Sequence, residues 1–169
     1  MPISDIYVGR ANQFGSSTAT TAVPILSLYA TSTKRFWVVG VRVNIITTTA
    51  AAGNNVLFQL CRSGVASTVT NIQTGSNGPT PHDFSAPASL GTIATTWSTP
   101  PTVGTVLWEQ ELPQTTGSSW EEFPPAGYEW GVPIGSGTAN AGTAAGVHMF
   151  INQSILTATT YNVDLIWSE

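Results

Sequence analysis

The run from Lys34 to Ile46, KRFWVVGVRVNII, constrains this chain more than any other stretch. Taken at a period of two, Trp37, Val39, Val41, Val43 and Ile45 form one unbroken apolar row. Phe36, Val38, Gly40, Arg42 and Asn44 form the other, which starts apolar and turns polar. β-Branched and aromatic residues alternating in this way predict a long strand with one buried face. A strand with so rich a face belongs in the middle of a sheet, under a second layer that covers the apolar row.

The remaining apolar segments are also strand-like. Ala22–Ala30, AVPILSLYA, carries Pro24 near its start, as an outer or edge strand would. Val56–Arg62, VLFQLCR, follows the central strand after a small-residue loop, and the two are expected to pair as an antiparallel hairpin. In Val103–Leu112, Val106, Trp108 and Leu112 share one face, while Glu109 and Glu111 lie on the other. Tyr128–Ile134, Val147–Ile151 and Tyr161–Trp167 complete the set, the last alternating Tyr161, Val163, Leu165 and Trp167 against polar positions. No segment carries an amphipathic helix of ten or more residues. Seven or eight strands with turn-rich connections predict an all-β fold, a two-sheet antiparallel sandwich of jelly-roll type.

Two stretches stand apart from this pattern. Met1–Thr21 holds isolated anchors (Ile3, Ile6, Tyr7, Val8 and Phe14) before it dissolves into small polar residues. It is expected to form an extended N-terminal arm (1–21) laid across a neighbouring surface, with the sandwich domain spanning 22–169. Ser63–Pro101 is punctuated by prolines and glycines, and long loops of this kind usually contact a ligand or a neighbour.

Composition narrows the function. Charged residues make up 8% of the chain, against about 25% in an ordinary globular domain. So weakly charged a surface offers little repulsion between copies. A net charge of -4, with five scattered Lys and Arg residues, argues against nucleic-acid binding. The first residues lack the basic and apolar regions of a signal peptide, and no apolar run reaches the roughly 20 residues that span a bilayer. The protein is therefore expected to be made in the cytoplasm and to be soluble, with no membrane partner. The single cysteine, Cys61, sits in a strand pattern and is expected to be a small buried residue.

Candidate chemistry is sparse. His82 lies beside Asp83 in a Pro-rich loop and lacks the second close ligand of a metal site. His148 sits in an apolar strand and is expected to be a core or interface histidine. Glu109 and Glu111 lie roughly 7 Å apart on one strand face, and a solvated face accounts for them better than a glycosidase pair does. No nucleophile elbow is present. No catalytic, metal-binding or cofactor-binding residue is expected. Among the six tryptophans, Trp37 and Trp167 are expected in the core. Trp97, Trp120 and Trp130 flank Pro- and Gly-rich turns, where they would either fill the ends of the sandwich or stand exposed as interface anchors or sugar platforms.

The order of landmarks carries a resemblance. It runs from AVPILSL (Ala22–Leu28) through Arg-x-x-Val-Val-x-Val (Arg35–Val41) and VLFQLCR. It continues with G-x-x-W-G-V-P-x-G-[ST]-G-x-A-N (Gly127–Asn140) and closes on VDLIWSE. In this the chain resembles small all-β virion proteins of tailed bacteriophages, the capsid decoration, cement or minor capsid proteins. The resemblance implies a non-enzymatic structural protein on the capsid surface of the virion, synthesised in the host cytoplasm. It would bind between subunits of the major capsid protein and associate with itself as a homotrimer or homodimer. The interface candidates are then the arm anchors Ile3, Ile6, Tyr7, Val8 and Phe14, with Trp97, Trp120 and Trp130. A module for glycan binding or host adhesion, in a head fibre or tail, is the alternative.

Overall fold

The computed structural model describes residues 5–17, 22–30, 34–47, 55–62, 68–73, 78–83, 85–132, 146–152 and 155–169. All regular structure among them is strand. It forms two antiparallel six-stranded sheets, packed face to face as a β-sandwich. The first sheet is built on three long strands, β1 (Ile6–Ser17), β3 (Phe36–Thr47) and β12 (Ile155–Ser168), with β12 in the middle. The short strand β6 (Thr80–Pro81) pairs with β1 on its far side. On the outer side of β3, β9 (Ser119–Glu122) and β10 (Trp130–Val132) pair with successive segments of that strand.

The second sheet runs β5 (Thr68–Ile72), β7 (Thr92–Thr99), β2 (Val23–Tyr29), β11 (Val147–Ile151), β4 (Asn55–Arg62) and β8 (Thr105–Pro113).

Between the sheets lies one apolar core to which β1, β2, β3, β4, β11 and β12 all contribute. Tyr7 stacks on Trp167 with ring centroids 5.9 Å apart, and Phe58 meets Tyr161 edge-on across the layers at 6.1 Å. The layers are tightly packed at Gly9, where a Cβ would lie 2.5 Å from Ile93. A loop closes one end of the sandwich. The Tyr7 hydroxyl donates to the carbonyl of Pro87 at 2.9 Å, and the Glu169 carboxylate accepts from the Leu90 and Gly91 amides, the Ser89 hydroxyl and the Trp167 indole.

The central strand forms where the period predicts, but its inward face changes partway along. Ile166 of β12 pairs with Gly40 and Trp167 pairs with Val38, so Val39 is an extra residue on β3. This β-bulge shifts the alternation by one. Phe36 and Val38 point inward before it, and Val41, Val43 and Ile45 point inward after it. Trp37, expected in the core, is therefore 40% exposed, whereas Trp167 is fully buried as expected. The same effect operates on β8. Leu60 pairs with Trp108 and Cys61 with Val106, which leaves Leu107 as the extra residue and turns Val106 out to solvent.

Three expectations about neighbours also change. The predicted hairpin partners β3 and β4 belong to different sheets: β3 pairs with β12, β9 and β10, and β4 pairs with β11 and β8. Pro24 does not place β2 at an edge. The neighbouring β7 pairs only with Ser27–Tyr29, and so no donor is needed from position 24 on that side. The stretch expected to lie outside the sandwich as an arm contributes β1, paired with β12 almost throughout and with Tyr7 and Ala11 in the core.

Candidate interaction surface

The outer face of the first sheet carries a row of charges that crosses four strands. Arg10 on β1 stands opposite Asp164 on β12. Asp164 stands opposite Arg42 on β3, and Arg42 opposite Glu121 on β9. Asp164 is nearly buried and accepts from Arg10 Nε at 2.6 Å and from Arg10 Nη2 at 2.9 Å. Arg42 Nη1 lies 3.6 Å from the same carboxylate, and its Nε touches Glu121. These hydrogen bonds to Asp164 hold the Arg10 guanidinium above its ordinary pKa. Directly opposed unlike charges support strand pairing, and here they also fix both arginines against the sheet.

Beside this row the face is apolar and concave. Ile6 and Val8 from β1, Val39 from β3 and Ile166 from β12 line a groove of about 390 Å³ together with Phe123, Arg42 and His82. A second concavity of about 340 Å³ shares Val8, Arg42 and His82 and adds Arg10, Thr80 and Pro81. Phe123 can lie flat on the sheet only because residue 40 is glycine: a Cβ there would come within 2.5 Å of the phenyl ring. The bulge at Val39 thus sits beneath the groove, and it turns Val39 toward the groove rather than the core.

Phe123 opens the segment that links β9 to β10, and this segment is rich in displayed aromatics. Trp120 is 42% exposed, Phe123 52% and Tyr128 76%. Pro125–Tyr128 forms a tight turn, closed by the Tyr128 amide donating to the Pro125 carbonyl at 2.9 Å. Gly127 at φ 90° occupies the position that such a turn reserves for glycine. Its amide donates to Glu129 at 2.8 Å, which pins the turn that presents Tyr128. Phe123, half exposed and lining an apolar groove, makes this face a candidate contact surface.

The interface candidates from sequence fall in different parts of the molecule. Ile6 and Val8 line the groove. Tyr7, between them on β1, points the other way and is core. Phe14 lies on β1 opposite Thr160, and Ile3 lies outside the described residues. Trp120 is exposed, at the margin of the sandwich. Trp130 is half-buried against the main core. Trp97 packs on a small cluster of Tyr29, Val69 and Ala94, and its indole donates to the Tyr29 hydroxyl at 3.0 Å. Sequence reasoning passed over Phe123, Tyr128, Arg10 and Arg42. Arg42 and Asp164 did stand on the polar sides of their strands, a signal that becomes a row once the register is known.

The remaining candidate groups lie elsewhere. His82 is exposed on the loop after β6. The neighbouring Asp83 carboxylate is held below its usual pKa by hydrogen bonds from the Ser85 amide and hydroxyl. His148 is fully buried, with Nδ1 2.6 Å from the Ser27 hydroxyl and Nε2 without a partner. Burial lowers its pKa to about 3. Cys61 is buried as expected, and burial raises its thiol to about 11. Glu109 and Glu111 are both exposed on β8, with Glu109 accepting from Gln59 at 3.1 Å. Among the described residues, no three His, Cys, Asp or Glu side chains gather as a metal site would require. In comparisons with known protein families, curated proteins and solved structures, nothing matches this chain.

Proposed function

We propose that this protein is a structural component of a tailed-phage virion. It decorates the outer surface of the head as a small homo-oligomer and binds between subunits of the major capsid protein. The observation that carries this reading is the order of the strands. The path β1–β12–β3, continued by β9 and β10, faces β2–β11–β4–β8. With β5, β6 and β7 set aside as an insertion between β4 and β8, and β9 with β10 taken as one segment, β4 and β8 share the second sheet and the other successive segments alternate between the sheets, an order that supports a jelly roll, the fold that recurs in viral capsid and lectin domains. The outer groove and the displayed Phe123 and Tyr128 supply apolar area for docking, and the fixed charge row supplies register. Many copies, each adding an interface of roughly 1,600 Å², would link neighbouring shell subunits.

The experiment is a heat-release assay on heads that lack the protein. Adding it back is expected to raise the temperature at which the heads release DNA. The Phe123→Ser/Tyr128→Ser double variant is expected to lose most of that gain. Protection unaffected by the double variant would move the docking surface elsewhere, and no protection at all would count against cementing.

A second reading, glycan-directed adhesion, rests on Trp120 and Tyr128 as exposed platforms on a fold that lectins also use. A glycan array with no signal would remove it.

A further inference from the structure

A separate cleft lies where the two sheets meet at the start of β3. Arg35, Trp37, Arg62, Gly131 and Val132 line a concavity of about 280 Å³. We propose that this cleft binds a carboxylate group, carried by an acidic sugar or by an acidic amino-acid side chain.

The arginines of the cleft lack carboxylate partners. The chain has nine acidic side chains and five Lys and Arg. All nine acids lie among the described residues, and the ion pairs they form there involve only Arg10 and Arg42. Arg35 and Arg62, with Lys34 next in sequence, have no carboxylate partner in a chain that has carboxylates to spare. Two guanidinium groups on one cleft wall concentrate positive potential where the molecule as a whole is negative.

The cleft is also built to hold its cations in place. Arg62 sits at the end of β4 in the second sheet, and its Nε donates to the Gly131 carbonyl of β10 in the first sheet at 2.9 Å. That bond fixes the plane of the guanidinium, and among the described residues its terminal nitrogens have no hydrogen-bond partner. The Arg35 guanidinium lies over the Trp37 ring, 5.6 Å from its centroid, so the indole holds the second cation in place. Gly131 stands opposite Trp37 in the β10–β3 pairing, and a Cβ on it would come 2.9 Å from the indole. Glycine at this position lets the ring lie flat against β10. The exposure of Trp37, which the bulge at Val39 brings about, thereby acquires a use.

A planar fork of N–H donors matches the geometry of a carboxylate, and an aromatic wall beside it favours a ligand with an apolar or ring portion. A cleft this small admits one acidic residue or one sugar acid.

The test is a titration followed by NMR, reading the Trp37 indole N–H and the Arg35 and Arg62 Nε–H signals at constant ionic strength. The probes are glucuronate, N-acetylglutamate amide and, as an uncharged control, glucose. Saturable shifts of these three signals with one or both acids, and none with glucose, are expected. A response to glucuronate alone assigns the source as an acidic sugar, and a response to the glutamate derivative alone assigns it as a protein side chain. Arg62→Gln, with core amide signals unmoved, is expected to weaken binding roughly tenfold or more. Arg35→Gln, at an exposed position, gives the same reading should Arg62→Gln disturb the core. No saturable shift with either acid, or equal binding by both variants, overturns the proposal.

Discussion

Asp164 lies nearly buried between Arg10 and Arg42, so one carboxylate orders two arginines on the outer face. Replacing it with Asn keeps the volume and removes the charge. Both arginines are about half exposed and can regain water, which limits the cost. Asp164→Asn is expected to lower stability by about 1–2 kcal/mol in urea unfolding; an unchanged midpoint would show that the row adds nothing to folding. His148 acts through pH. Its folded pKa of about 3 lies below the ordinary 6.5, so the unfolded chain takes up a proton that the folded chain refuses. Stability is therefore fully present above pH 6.5 and falls as the pH drops toward 3, by on the order of 4 kcal/mol. His148→Phe is expected to flatten that part of the profile, and a variant with the wild-type acid slope would contradict the assignment. Cys61, with its thiol raised to about 11 and buried, is expected to resist thiol reagents in the folded protein and to react fully in denaturant.

At the scale of elements, β3 separates what local pattern reveals from what it hides. The period of two identifies a strand because side chains alternate whatever the neighbours do. The phase of that alternation holds only until a residue is inserted, and Val39 is such an insertion. Nothing in KRFWVVGVRVNII distinguishes a bulge from a straight strand with two apolar faces, so Trp37 reads as core and proves exposed. Deletion of Val39 is therefore expected to leave a chain that still folds, since the strand then alternates without a break and keeps Phe36, Val38, Val41, Val43 and Ile45 on one face. Val39→Ala should also fold normally, and a deletion chain with no cooperative unfolding transition would contradict the bulge. Pairing partners are hidden for a related reason. The pattern on β4 specifies a buried face but not the sheet to which it belongs, so sequence proximity to β3 suggests a hairpin that does not form. At Gly9, a methyl group would meet Ile93 in the closed core, and Gly9→Ala is expected to cost about 1–3 kcal/mol through overpacking.

For the whole molecule, the all-β sandwich was legible because nearly every apolar segment alternates and none follows a helical period. The candidate contact surface was much less so. It gathers Ile6 and Val8 from β1, Val39 from β3, Phe123 from a linker and Ile166 from β12, residues that meet only through the strand order. An exposed Phe123 and a buried Tyr7 look alike in one dimension. The proposal that this protein is a cement on a phage head rests on that surface and on the order of its strands in the two facing sheets. The most direct test mixes purified protein with heads that lack it and measures bound copies by sedimentation and cryo-electron microscopy. Saturable binding at a fixed number of copies, as density of a small oligomer bridging neighbouring capsid subunits, is the predicted result. Protein that stays in the supernatant as a monomer at every concentration would contradict it.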